Sequence, residues 1–134
     1  MTKHELIESA YNVFSQSGDY EKVLTDVPFE EETIDMVLVG KDQKLTTIGF
    51  TPTNWRSALR KARSHALGAD FTYICLPAKK WPTELKLSAA EQGIGVMLVY
   101  PLTGKIEPLV KSFTGAMWRE AREKILTEVK TGEL

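Results

Sequence analysis

The sequence predicts an α/β domain, a mixed β-sheet flanked by helices, in the order α-β-β-β-α-β-α-β-α. Three observations carry this. The β-rich runs "KVLTDVPF", "TIDMVLVG" and "KLTTIGFT" follow one another through short polar turns, which reads as an antiparallel meander. After them, "DFTYICLP" and "IGVMLVYP" are nearly unbroken apolar runs, as expected of strands covered on both faces. Amphipathic helical patterns open the chain, close it and separate these runs.

In "KHELIESAYNVFSQSG", Leu6, Ile7, Ala10, Val13 and Phe14 recur at helical spacing and Gly18 marks a stop. Pro28 cannot donate to a sheet ladder, so the first strand should end at an edge. The acidic turn Glu30–Glu32 leads into the second strand, and "KDQK" makes a tight connection into the third. In "TNWRSALRKARSHALG", Trp55, Ala58, Leu59, Ala62 and Ala66 form one apolar stripe, with Thr53 or Asn54 as cap and Gly68 as stop. Its small alanines suit close packing on a sheet. "WPTELKLSAAEQG" fits a short helix with Pro82 near its first turn and Gly93 at its end. "TGKIEPLVKS" predicts a short edge strand interrupted by Pro108. "GAMWREAREKILTEVK" predicts a last helix with Met117, Ala121, Ile125 and Val129 near one stripe.

At 134 residues, with 43% hydrophobic and 26% charged residues, the chain reads as a single domain, residues 1–134, with a real core. No run is apolar enough to span a bilayer and the start "MTKHELIESA" is polar, so a cytoplasmic protein without membrane partners is expected. The one cysteine, Cys75, lies inside "FTYICLP" and reads as a buried structural thiol. With only His4 and His65 beside it, Cys/His metal clusters are excluded. The net charge of −1 hides an asymmetry: residues 1–35 carry two lysines against nine acids, and the remainder fifteen Lys or Arg against nine acids. A polyanion partner fits if the positive charges share a face.

Arg56, Arg60 and Arg63 recur at i, i+4 and i+7 with Lys61 beside them. Like charges at this spacing repel by a few tenths of a kcal/mol per pair, so a ligand or the protein's own acids should neutralise them. His65, on the same helix, reads as a solvated side chain with phosphate contact as the alternative. "GIGV" at 93–96 lies between a helix and a strand, the reverse of a dinucleotide-binding loop, and reads as a helix stop with close backbone packing. Asp35 sits within an apolar strand, where a carboxylate is costly unless paired, metal-bound or facing a polar cleft. The plainer reading is a strand-end Asp hydrogen-bonded to a turn. Lys79, Lys80 and Trp81 combine charge with an aromatic ring, a weak nucleic-acid signal set against a solvated loop with one packed Trp.

The stretch "IDMVLVGKDQKLTTIGFTPTNWRSALRKARSHALGADFTYICLP" resembles the PD-(D/E)XK nuclease superfamily, the restriction-endonuclease-like fold. "ID" at Ile34–Asp35 resembles its Ile-Asp pair, "NWRSALRKA" its Ala-Leu-rich helix and "ADFTYICLP" the strand that follows. "GIGVMLVYPLTGKIEPL" is similar to its later strand and trailing segment, so the resemblance covers about residues 4–112. It implies a restriction-endonuclease-like core. The family's Glu-x-Lys falls on Gly49 and Thr51, which share one strand face. In an active member the Asp and Glu hold a divalent cation and the Lys activates water. Here Gly49 has no ligand atom and Thr51 no charge, which leaves Asp35 as a remnant and a poor Mg²⁺ ligand by itself.

The sequence therefore reads as a catalytically degenerate nuclease-like domain, without a cofactor, binding DNA or RNA through phosphate contacts from Arg56, Arg60, Lys61 and Arg63. One alternative is an active Mg²⁺-dependent nuclease in which Lys61 is a migrated catalytic lysine and Glu5 or Glu8 supplies a second carboxylate. Another is a non-enzymatic interaction subunit, its acidic first 35 residues meeting a basic protein partner or a second copy in a homodimer.

Overall fold

The computed structural model describes residues 1–113 and 119–131. Its elements are α1 (Lys3–Ser17), β1 (Tyr20–Phe29), β2 (Glu32–Gly40), β3 (Leu45–Phe50), α2 (Trp55–Ala66), β4 (Phe71–Pro77), α3 (Thr83–Glu91), β5 (Gly95–Val99), β6 (Ile106–Val110) and α4 (Arg119–Thr131). The six strands form one sheet in chain order. β1, β2 and β3 make the expected antiparallel meander, β3, β4 and β5 run parallel, and β6 returns antiparallel. This is an α/β architecture with a mixed six-stranded sheet, consistent with a restriction-endonuclease-like core. β1 and β6, which carry Pro28 and Pro108, are the two edges.

Parallel neighbours need a crossover, and crossovers are right-handed, so successive ones along a sheet put their helices on one face. α2 and α3 accordingly share a core with Ile74, Leu76 and Val96. On the opposite face Leu6, Ala10 and Phe14 of α1 pack on Met36, Leu38, Ile48 and Cys75. Burying Cys75 pushes its thiol up to about 12, so it is an inert part of the core. From α4, Ala121, Ile125 and Val129 pack on Val37, Val39 and Leu45, the alternate side chains of the same strands. Met117 lies outside the described residues.

Local signals explain the ends of the elements. A reciprocal pair of hydrogen bonds between Thr2 and Glu5 caps α1, and Gly18 ends it at φ 77°. Asn54 caps α2 through the Ser57 amide. Gly68 is not the left-handed stop expected of it. Leu67 ends the helix in right-handed geometry, and Gly68 instead admits the α4 backbone, since a methyl there would lie 2.8 Å from the Ala121 carbonyl carbon. Nearby Asp70 accepts from the Leu45 amide and from Arg122, both at 2.8 Å, tying α4 to the start of β3.

Candidate functional site

A cavity of about 550 Å³ opens where the N-terminal part of β2, the end of β3 and one side of α2 meet. Each wall follows from the topology. Asp35 and Gly49 reach it because the β2–β3 register that pairs Met36 with Ile48 brings them opposite one another. Thr51 follows β3 and accepts from the Asn54 amide at 3.0 Å, shaping the turn into α2. Ser57, Lys61 and His65 line it at i, i+4 and i+8, one column along α2. Lys3 enters from α1, and the β1–β2 hairpin contributes Glu30, Glu31 and Glu32.

Both oxygens of Asp35 are engaged. Oδ1 lies 3.0 Å from Lys3 Nζ, and Oδ2 accepts from the Phe50 amide at 2.9 Å. An ammonium group thus sits against the one carboxylate that the family resemblance marks as a metal ligand. Opposite, a methyl placed on Gly49 would meet no atom within 4 Å, so the strand faces open space where a longer side chain would fit. Glu5 is spent on the α1 cap and Glu8 lies 3.8 Å from His4; neither lines the cavity. Among the described residues no group of three or more His, Cys, Asp or Glu is placed to hold a metal ion. Mg²⁺ requires near-octahedral oxygen coordination, and Asp35, already bonded on both oxygens, does not by itself fit it.

The structure separates the expected basic set. Lys61 faces the cavity, whereas Arg56, Arg60 and Arg63 lie about 100–160° around the α2 axis from it, on the outer flank. Arg56 lies over the Trp55 ring at 4.4 Å and pairs with Glu84 at 2.9 Å, so the protein's own acid answers one of the three charges. Arg60 and Arg63 are exposed. Lys79 lies over Trp81 at 4.3 Å, while the Trp81 indole donates to the Pro77 carbonyl, so this ring is packed. The loops after β3 and β4 leave the sheet at the same end, because those strands are parallel neighbours. Arg56, Lys79 and Lys80 therefore rim the end of the sheet at which the cavity opens.

His65 corrects the sequence reading, which made it solvated: it is 4% exposed, covered by the hairpin. Its ring meets Phe29 edge-on at 5.6 Å, and Nε2 has no hydrogen-bond partner among the described residues, with Glu32 3.8 Å away. Burial lowers its pKa most; Glu32 and Asp35 pull upward against that, and Lys61 adds to the lowering. Glu30 pairs with Lys124 of α4 at 2.7 Å. Sequence reasoning missed Lys3 and Glu32. Nothing in "MTKHEL" marks Lys3, because its meeting with Asp35 depends on where α1 lies across the sheet.

No protein-family model matches the chain, and no curated protein does. Among solved structures it is similar to a protein of unknown function from Silicibacter pomeroyi, with a TM-score of 0.73, 12% identity, and 99% of this chain and 86% of that one covered. It is also similar to a repair endonuclease from Pyrococcus abyssi, with a TM-score of 0.54 and 10% identity over 75% of this chain and 48% of that one. The chain thus aligns with about half of the endonuclease. At these identities the likeness is one of fold.

Proposed function

We propose that this is a nuclease-like domain that has lost hydrolysis and contacts nucleic acid through phosphates. The observation that carries the reading is the Lys3–Asp35 pair facing Gly49: a cation of the protein stands where a metal-binding carboxylate would need an ion, and position 49 supplies no acid opposite it. Fold likeness to a repair endonuclease supports it as an analogy only. Arg60 and Arg63 on the outer flank of α2, with Lys79 and Lys80 on the adjoining edge, supply sequence-independent phosphate contacts. Fluorescence anisotropy on labelled DNA across a salt series tests this. Arg60→Ala with Arg63→Ala weakens binding and flattens the slope of log K against log salt by about 1.8, two phosphate contacts' worth. Wild-type protein with no salt-dependent affinity for DNA or RNA contradicts the reading.

A second reading takes Lys61, which lines the same cavity as Asp35, as a migrated catalytic lysine. It requires Mg²⁺- or Mn²⁺-dependent plasmid nicking that Asp35→Ala abolishes.

A further inference from the structure

The turn between β5 and β6 carries an exposed apolar pair. Leu102 is fully exposed and Tyr100 is 39% exposed, both on a well-tied hairpin. The Tyr100 amide donates to the Lys105 carbonyl and the Gly104 amide to the Tyr100 carbonyl, each at 2.8 Å. The Tyr100 hydroxyl donates to Glu107 at 2.8 Å, which fixes the ring from its far end. An exposed leucine alone is ordinary on a protein surface. Here it stands two residues from that ring on a hydrogen-bonded turn and next to charge. Ala78 bonds the Val99 carbonyl at 2.7 Å, so the turn leaves the sheet beside the loop of Lys79 and Lys80, and Lys105 closes it. These three lysines are exposed; of the neighbouring acids, Glu84 is paired with Arg56, and Glu107 accepts from the Tyr100 hydroxyl and keeps its charge.

We infer that this edge binds unpaired nucleic acid, with bases lying on Tyr100 and Leu102 and phosphates on Lys79, Lys80 and Lys105. The inference rests on the nucleic-acid reading above and names the form of the ligand. A cationic strip supplies affinity without sequence preference, and a fixed aromatic face beside it offers each base a stacking partner. A duplex would reach the same pair only after unstacking its own bases, at a cost of a few kcal/mol per step.

The test is fluorescence anisotropy at one salt concentration with labelled oligo(dT), oligo(U) and a duplex of equal length. Single strands should bind more tightly than duplex, and the two single-strand probes tell DNA from RNA. Tyr100→Ala should weaken single-strand binding about fivefold or more, and Leu102→Ala should weaken it as well. Tyr100→Phe, which keeps the ring, should retain most of the affinity. Both side chains are exposed, so unchanged thermal melts will show that the variants fold. Salt-dependent binding that favours duplex, or that Tyr100→Ala and Leu102→Ala leave intact, overturns the inference and leaves the phosphate-binding reading standing. No binding to any of the probes overturns both.

Discussion

Gly95 and Gly49 stand on interior strands of one sheet in opposite surroundings. A methyl group on Gly95 would run into the Tyr73 ring and lie 2.8 Å from the Ser112 amide. Here β5 meets a closed polar seam: the Thr47 and Thr72 hydroxyls are 3.1 Å apart, and Ser112 accepts from the Thr72 amide and donates to the Gly93 carbonyl, both at 3.0 Å. Around Gly49 there is nothing to meet. The first glycine is demanded by packing. The second marks a place where a side chain would fit and none is present, on the face that the family resemblance assigns to a metal-binding acid. A glycine required by close approach can thus be told from one with room for a side chain.

The sharpest way to break this comparison is to add the same methyl at both sites. Gly95→Ala should cost about 3 kcal/mol, read in urea melts, because the Ser112 backbone cannot step aside cheaply. Gly49→Ala should be neutral or stabilising by up to about 1 kcal/mol, since glycine in a strand interior is entropically unfavourable and the added group meets no obstacle. A large loss at position 49 would mean that the open space is illusory.

Between these extremes lies a pH effect on the cavity wall. Burial lowers the pKa of folded His65, so the unfolded chain takes up its proton first. The contribution is therefore fully present above the unfolded value of about 6.5 and is lost as pH falls below it. Thermal melts should drop between about pH 7 and 5, and His65→Phe should flatten the part of that drop due to this residue. An unchanged profile in the variant would show that Glu32, 3.8 Å from Nε2, already compensates the buried ring. The smallest effect belongs to Lys3→Ala. The Lys3 side chain is half-exposed, so its pair with Asp35 is worth under about 1 kcal/mol, and stability should barely change.

Local chemistry made most of the fold legible. Short polar turns between the first three β-rich runs, unbroken apolar runs in β4 and β5, and prolines at positions 28 and 108 gave strand pairing and place, because tight turns, burial on both faces and an edge leave different patterns. The site was half legible. Asp35, Gly49, Thr51 and Lys61 stand out in sequence and line one cavity. Lys3 and Glu32 could not be found, since each reaches the cavity through packing between elements far apart in the chain. Helical spacing put Arg56, Arg60 and Arg63 on one flank but does not reveal that Lys61 turns toward the sheet, or that a hairpin covers His65. That distinction needs the sheet's position relative to α2, which periodicity alone leaves open.

Whether the pocket lacks a metal site by composition is best settled by calorimetric titration of Mn²⁺ into the wild-type protein and into Lys3→Ala with Gly49→Glu. The account predicts no saturable heat in the wild type. It predicts a saturable site in the double variant, where a second carboxylate faces Asp35 and the competing ammonium is gone. Saturable binding by the wild type that Asp35→Asn abolishes would contradict it.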